Sequence, residues 1–126
     1  MWKNISGQHD AISKLRSVYK SGKVGHAYLF EGTQGTGKDA AAIEFAKLLN
    51  CTDVQNEDEA CDKCESCLKI SSFRSEYFKL ICALPAPKAD DSDADPIEKL
   101  AGPDFDEYME QMHKKSENPY YHINLP

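Results

Sequence analysis

The sequence predicts an α/β domain built around a phosphate-binding loop, with an inserted metal module of four cysteines. Residues 32–39 fit the pattern G-x-x-x-x-G-K-[ST] at every fixed position except the last, where Asp39 replaces the Ser or Thr. An apolar segment precedes this loop and an alanine-rich segment follows it. Four of the 5 cysteines have the spacing C-x9-C-x2-C-x2-C. Each of these observations predicts one element of the fold.

The glycine-rich loop is expected to cradle phosphate. Glycines let the backbone approach an anion closely, and successive N–H groups at a helix N-terminus bind it. We expect a strand at residues 26–31 and a helix at 38–49, the order that this motif requires. An ordinary glycine-rich turn is the alternative. The candidate nucleotide-binding residues are Gly32, Thr33, Gln34, Gly35, Thr36, Gly37, Lys38 and Asp39.

Asp39 is the departure from the loop pattern. A hydroxyl at this position would ligate Mg²⁺, whereas a carboxylate repels a triphosphate. Two unit charges about 4 Å apart interact by roughly 4 kcal/mol at an effective dielectric near 20. The sequence therefore favours weak or absent binding of ATP and Mg²⁺. In the alternative, Asp39 is itself a Mg²⁺ ligand.

The four cysteines predict a structural zinc site. Zn²⁺ prefers four tetrahedral thiolates, and a site filled by four protein ligands leaves no position for a catalytic water. An iron–sulfur cluster is the alternative. We expect Cys82 to be a small buried hydrophobe in a second strand at residues 77–84. The candidate metal ligands are Cys51, Cys61, Cys64 and Cys67.

The bulk properties limit the function. The chain has 126 residues and a net charge of −6, so we expect any contact with DNA to be shared with partner subunits. The sequence contains neither a membrane-length apolar run nor a signal peptide, which predicts a cytoplasmic location without membrane contact. Two strands are too few for a parallel sheet, so we expect the N-terminal portion of a longer domain.

The remaining segments predict packing rather than chemistry. Apolar periodicity predicts helices at residues 8–20 and 103–115, the second with one face formed by Phe105, Tyr108, Met109 and Met112. Residues 85–96 are rich in Pro and Asp, which is typical of a solvated loop; a calcium site there is the weaker alternative. The histidines are scattered, and we predict no catalytic residue.

Taken together, these motifs resemble the clamp-loader subunits of bacterial DNA polymerase III, which are members of the AAA+ family. The resemblance covers residues 1–84. It rests on His-Ala-Tyr-Leu-Phe at 26–30, the glycine loop, Phe45-Ala46 with Leu49 and Cys51, the cysteine knuckle, and Ile5-x-Gly7-Gln8, which resembles the adenine-side segment. It implies a P-loop AAA+ (RecA-like) domain with an inserted four-cysteine zinc module.

The resemblance also implies partners and a role. The partners would be the other subunits of a hetero-pentamer that places the sliding clamp on primed DNA. Asp39 is similar to the degenerate loops of the delta-prime type, and residues 74–77 lack the His-Pro-Asp that often follows the knuckle. We therefore expect a stator-like subunit of the polymerase holoenzyme without activity of its own, whose arginine finger would lie beyond residue 126.

Two other functions stay open. One is an ATP-hydrolysing subunit of the gamma/tau type, and the other is a zinc-containing P-loop enzyme of a different class. The expected organisation of the chain has four parts. It consists of the first helix, strand, loop and loop helix at 1–50, a zinc insertion at 51–70, a second strand region at 71–84, and an acidic loop with a helix at 85–126.

Overall fold

In a computed structural model, the described residues (1–56, 58–84, 95–100 and 102–125) form a helical structure. A 3₁₀ turn at Trp2–Asn4 precedes four α-helices: α1 (His9–Ser21), α2 (Lys38–Asn50), α3 (Glu65–Ser71) and α4 (Gly102–Glu117). The helices predicted at 8–20, 38–49 and 103–115 are confirmed, whereas α3 and the 3₁₀ turn were not predicted. The acidic segment at residues 85–94 lies outside the described residues.

The main core lies between α1, α2 and the N-terminal segment. Helix α1 contributes Ile12 and Leu15 at a spacing of three residues. It ends at Ser21, and the positive φ of 65° at Gly22 suits a glycine C-cap. Alanines at positions 40 and 41 allow close packing of α2, and the large side chains follow one to two turns later. The buried members of this cluster are Trp2, Ile5, Ile12, Leu15, Ala40, Ala41, Phe45 and Leu48.

The prediction of two strands is wrong for the described part of the chain. Residues 26–31 and 77–84 form no strand, and the described β-bridge joins Gln55 to Glu59. A strand is held by backbone hydrogen bonds to a neighbouring strand, and no described segment pairs with either of these. Each segment leaves an apolar side chain open to solvent: Leu29 and Ile81 are both 88% exposed. The first segment instead contacts α2, where the rings of Tyr28 and Phe45 meet edge to face at 5.6 Å.

The predicted apolar face of α4 needs a correction. Tyr108 is buried, but Phe105 and Met109 are 40% and 51% exposed. The buried line of α4 continues from Tyr108 through Gln111 to Lys115, so two of its three members are polar. Hydrogen bonds to the following segment, described below, compensate for their burial.

Candidate phosphate loop and metal centre

The glycine loop leads directly into α2. Gly35 and Gly37 have φ values of 84° and 87°, a region that a side chain disfavours, and Gly37 is the N-cap of α2. No side chain caps this end, so the first N–H groups of the helix face the loop. An anion placed here would meet the positive end of the helix dipole.

Lys38 bends back over its own loop. Its ammonium donates hydrogen bonds to the carbonyl oxygens of Gly32 at 2.8 Å and Thr33 at 2.9 Å. The hydroxyl of Thr36 also donates to the Thr33 carbonyl, at 2.8 Å. A phosphate that binds Lys38 must therefore replace these hydrogen bonds.

Asp39 pairs with a lysine that the sequence did not single out. Lys115 of α4 lies 2.7 Å from its carboxylate, although the two residues are 76 positions apart. Lys115 is 1% exposed, whereas the side chain of Asp39 is 58% exposed. The sequence does contain a signal that Lys115 is buried: it follows Tyr108 by seven residues and therefore lies on the same face of α4.

The segment after α4 covers the loop. Tyr120 lies so close to Gly37 that a Cβ added there would stand 2.9 Å from its ring. Its hydroxyl accepts a hydrogen bond from the Ser6 N–H at 3.2 Å and donates to the Asn4 carbonyl at 3.4 Å. A cavity of about 310 Å³ remains between loop and tail; His122 is among its lining residues.

A larger cavity of about 690 Å³ lies on the other side of the loop, against α1. Leu15, Val18 and Phe30 contribute apolar walls, and Lys38 also lines the cavity. Gln8, part of the segment expected on the adenine side, lines this cavity and donates to the Thr36 carbonyl at 3.3 Å. The predicted loop residues and this segment thus lie together.

The four predicted ligand cysteines also come together. Their sulfur atoms all lie within 4.8 Å of one another, close enough to hold a metal ion. Cys51 is the C-cap of α2, and Cys64 is the N-cap of α3. Cys61 and Cys67 are buried, with their sulfurs 4.0 Å apart. Cys82 is not part of this group.

Backbone N–H groups point at the sulfurs. Cys61 Sγ accepts from the N–H groups of Lys63 at 3.4 Å and Cys64 at 3.2 Å, and Cys64 Sγ accepts from Cys67 at 3.5 Å. A hydrogen bond from the Thr52 backbone lowers the pKa of Cys64 to about 6. Burial raises the pKa values of Cys51 and Cys67. A divalent cation would compensate for burying such thiolates, which is the chemistry of a structural metal site.

A charge cluster joins α2 to the cysteine knuckle. Lys47 of α2 lies 2.6 Å from Glu44 and 2.8 Å from Asp62, which stands between Cys61 and Cys64 in sequence. The ammonium of Met1 contacts the same two carboxylates, at 2.5 and 2.7 Å. Both ends of α2 therefore make charged contacts, Asp39 with α4 and Lys47 with the knuckle.

The amino-acid sequence is similar to those of DNA polymerase III subunits. Among curated relatives, DNA polymerase III subunit tau of Bacillus subtilis is 38% identical over 71 residues, 56% of this chain and 12% of the relative. Subunit delta' of the same organism is 38% identical over 82 residues, 64% and 24% of the two chains. Escherichia coli subunit tau is 33% identical over 89 residues, 71% and 14%.

The matched region is thus less than a quarter of each of these relatives. No solved structure matches the chain. Within the described residues, no helix is long and apolar enough to cross a bilayer. The model of the family described as "DNA polymerase III, delta subunit" matches residues 7–114. The chain therefore belongs to this family of clamp-loader subunits, which acts in DNA replication.

Proposed function

We propose that this chain belongs to a delta-prime-type, stator-like subunit of the replicative clamp loader, with a degenerate nucleotide loop. The observation that carries the proposal is Asp39. It takes the place of the magnesium-binding hydroxyl, and its carboxylate is engaged by Lys115. The subunit would lack ATP hydrolysis of its own and would support the polymerase holoenzyme structurally.

The partners follow from the family. We propose that the subunit joins the other clamp-loader subunits in a hetero-pentamer in the cytoplasm, and reaches the sliding clamp and primed DNA through that complex. The net charge of −6 supports shared rather than independent contact with DNA. The division of the chain into an AAA+ P-loop portion at 1–50, a zinc insertion at 51–70, a region at 71–84 and a segment at 85–126 belongs to the same proposal.

An ATP-hydrolysing gamma/tau-type subunit is the second candidate. It is favoured by the similarity to tau of Bacillus subtilis, which at 38% identity equals the similarity to delta' of the same organism. Sequence identity therefore does not distinguish the delta-prime type from the gamma/tau type. The distinction depends on the chemistry of the residue at position 39. An unrelated P-loop enzyme, the third expectation, is disfavoured by the family match.

Calorimetry with Mg²⁺-ATP tests the proposed type. We expect no detectable binding to the wild-type chain, because position 39 lacks the hydroxyl that would hold Mg²⁺ and its carboxylate is paired with Lys115. Micromolar binding would instead favour the gamma/tau type. Co-purification with the remaining clamp-loader subunits tests the role separately, and a chain that joins none of them would overturn it.

We further propose that Cys51, Cys61, Cys64 and Cys67 hold a structural Zn²⁺. The close sulfurs and their N–H donors support a tetrathiolate site, and iron in place of zinc is the alternative. Metal analysis should find about one zinc per chain. Cys64→Ser should release it, with Cys82→Ser as the matched control. A folded chain that contains no metal would contradict the proposal.

A further inference from the structure

The ammonium of Lys115 has a complete set of acceptors. It donates to a carboxylate oxygen of Asp39, to the carbonyl of Pro119 and to the carbonyl of Tyr121, each at 2.7 Å. An ammonium has three N–H donors, so these three oxygens satisfy it. Its charge is nevertheless buried at 1% exposure, and the carboxylate that compensates for it belongs to Asp39.

Two of these acceptors lie in the tail, residues 118–125. Lys115 therefore fixes the turn after α4 and attaches it to the first turn of α2 at the same time. Gln111, one turn earlier, adds two contacts with the tail: its side-chain oxygen accepts from the Tyr121 hydroxyl at 2.9 Å and from the Asn124 N–H at 3.3 Å. The two buried polar residues of α4, Gln111 and Lys115, thus hold the tail against the helix.

The docked tail narrows the approach to the glycine loop to the cavity of about 310 Å³. Tyr120 packs on Gly37, the residue whose lack of a side chain would let the backbone approach a phosphate. The Tyr120 hydroxyl also ties this position to the N-terminal segment through Ser6. Threonine at position 39 could bind Mg²⁺ but could not neutralise a buried ammonium, whereas aspartate can.

We infer that Asp39 and Lys115 form a latch that holds the tail over the glycine loop, so that phosphate must compete with the Tyr120 ring at Gly37. This inference rests on the proposed degenerate nucleotide loop. It gives the Asp39 carboxylate a positive role, because the residue that weakens a magnesium site anchors the segment that covers it. The tail then covers the glycine loop, in addition to any repulsion of phosphate by the Asp39 charge.

The anchoring step is tested by hydrogen exchange on the full chain, read at the amides of Tyr121 and Asn124. Asp39→Asn and Lys115→Met each remove one charge of the pair with little change of size. Asp39→Asn leaves the buried ammonium without its carboxylate, whereas Lys115→Met leaves only the partly exposed carboxylate of Asp39 and is the milder variant for folding. We expect exchange in the tail to accelerate by about tenfold or more in both variants. Lys114→Met, at the exposed neighbouring position, is the matched control and should leave it unchanged.

The competition with phosphate is tested with magnesium pyrophosphate as the probe. Tyr120→Ala keeps the ion pair and removes only the cover, so we expect it to bind pyrophosphate about tenfold more tightly than the wild type. Tyr77→Ala, an exposed tyrosine outside the tail, is the control. Charge repulsion alone predicts no difference between Tyr120→Ala and the wild type.

Two results would overturn the latch. One is unchanged tail exchange in both charge variants. The other is a Tyr120→Ala variant that binds pyrophosphate no more tightly than the wild type. Failure of the chain to join clamp-loader subunits would overturn the proposed function while leaving these exchange and binding differences in place, so the two failures can be told apart.

Discussion

Lys47 is the residue through which the loop helix contacts the cysteine knuckle, and replacing it tests that connection. Lys47 and the Met1 ammonium face the carboxylates of Glu44 and Asp62, which gives two positive and two negative charges. Lys47→Met keeps most of the side-chain volume and leaves one negative charge in excess. The excess charge is most costly at Glu44, because its side chain is only 4% exposed.

The magnitude follows from burial. Removing one partner of a buried pair costs about 3–5 kcal/mol. Because Asp62 is 27% exposed and the Met1 ammonium still contacts both carboxylates, we expect about 2–4 kcal/mol less unfolding free energy. This corresponds to a fall of roughly 10 °C in the thermal midpoint for a chain of this size.

The pH range of the effect is set by the pKa values of the pair. Burial alone would lower the pKa of Lys47, but the hydrogen bonds that its ammonium donates to Asp62 and Glu44 outweigh burial and raise the pKa. The raised pKa of Lys47 contributes stability that is lost as the pH rises through its folded value, and the lowered pKa of Asp62 contributes stability that is lost as the pH falls through its folded value. Neutral pH lies between these ranges and is suitable for the measurement.

Urea unfolding of the metal-loaded chain at pH 7 measures this cost. Lys69→Met is the matched control, because its pair with Glu65 is 49% and 81% exposed and should contribute nothing measurable. Adding Glu44→Gln to Lys47→Met restores neutrality and should recover at least half of the loss. If Lys47→Met were no more destabilising than Lys69→Met, the role assigned to the charge cluster would be refuted.

Three further predictions concern the core, the thiols and the loop. Leu48→Ala should cost about 2–5 kcal/mol of unfolding free energy in urea titrations, whereas Leu68→Ala, at 56% exposure, should stay within about 0.5 kcal/mol; equal losses would contradict the assigned core. In the metal-free chain, Cys64 should alkylate faster than Cys82 at pH 7 and slow as the pH falls below about 6, because the Thr52 backbone lowers the pKa of Cys64 while burial raises that of Cys82. Mass spectrometry measures the two rates, and faster alkylation of Cys82 would contradict this prediction. Asp39→Thr should raise Mg²⁺-ATP affinity in calorimetry by about tenfold or more, and an unchanged affinity would contradict the repulsion argument.

The helices could be predicted from sequence because their information is local. A helix closes its hydrogen bonds four residues away, so the apolar spacing in α1 and the alanines of α2 were sufficient. The strands could not, because a strand depends on a neighbour that the described residues do not provide. The short helix α3 was missed since its cysteines were interpreted only as ligands, although Cys64 also caps it by accepting from the Cys67 N–H.

The metal site could be predicted from local sequence, whereas the ion pair at the glycine loop could not. The cysteine spacing brings three of the sulfurs together within a short segment, so the metal cluster could be predicted from sequence. The partner of Asp39 is 76 residues away and is a lysine, a residue type that is rarely buried without a partner. The charge of Asp39 alone therefore predicts repulsion of a phosphate but not the pairing with Lys115.

Helix α2 connects these sites and gives the proposed stator a physical basis. Its 13 residues span roughly 20 Å, with Asp39 in the first turn and Cys51 as the C-cap. A subunit that responds to nucleotide needs freedom at the loop end of this helix, because the presence or absence of a γ-phosphate must be transmitted there. In this chain the loop end is held by a buried lysine and the other end by Lys47 and the cysteine knuckle. A helix fixed at both ends suits a rigid support better than a nucleotide-driven switch.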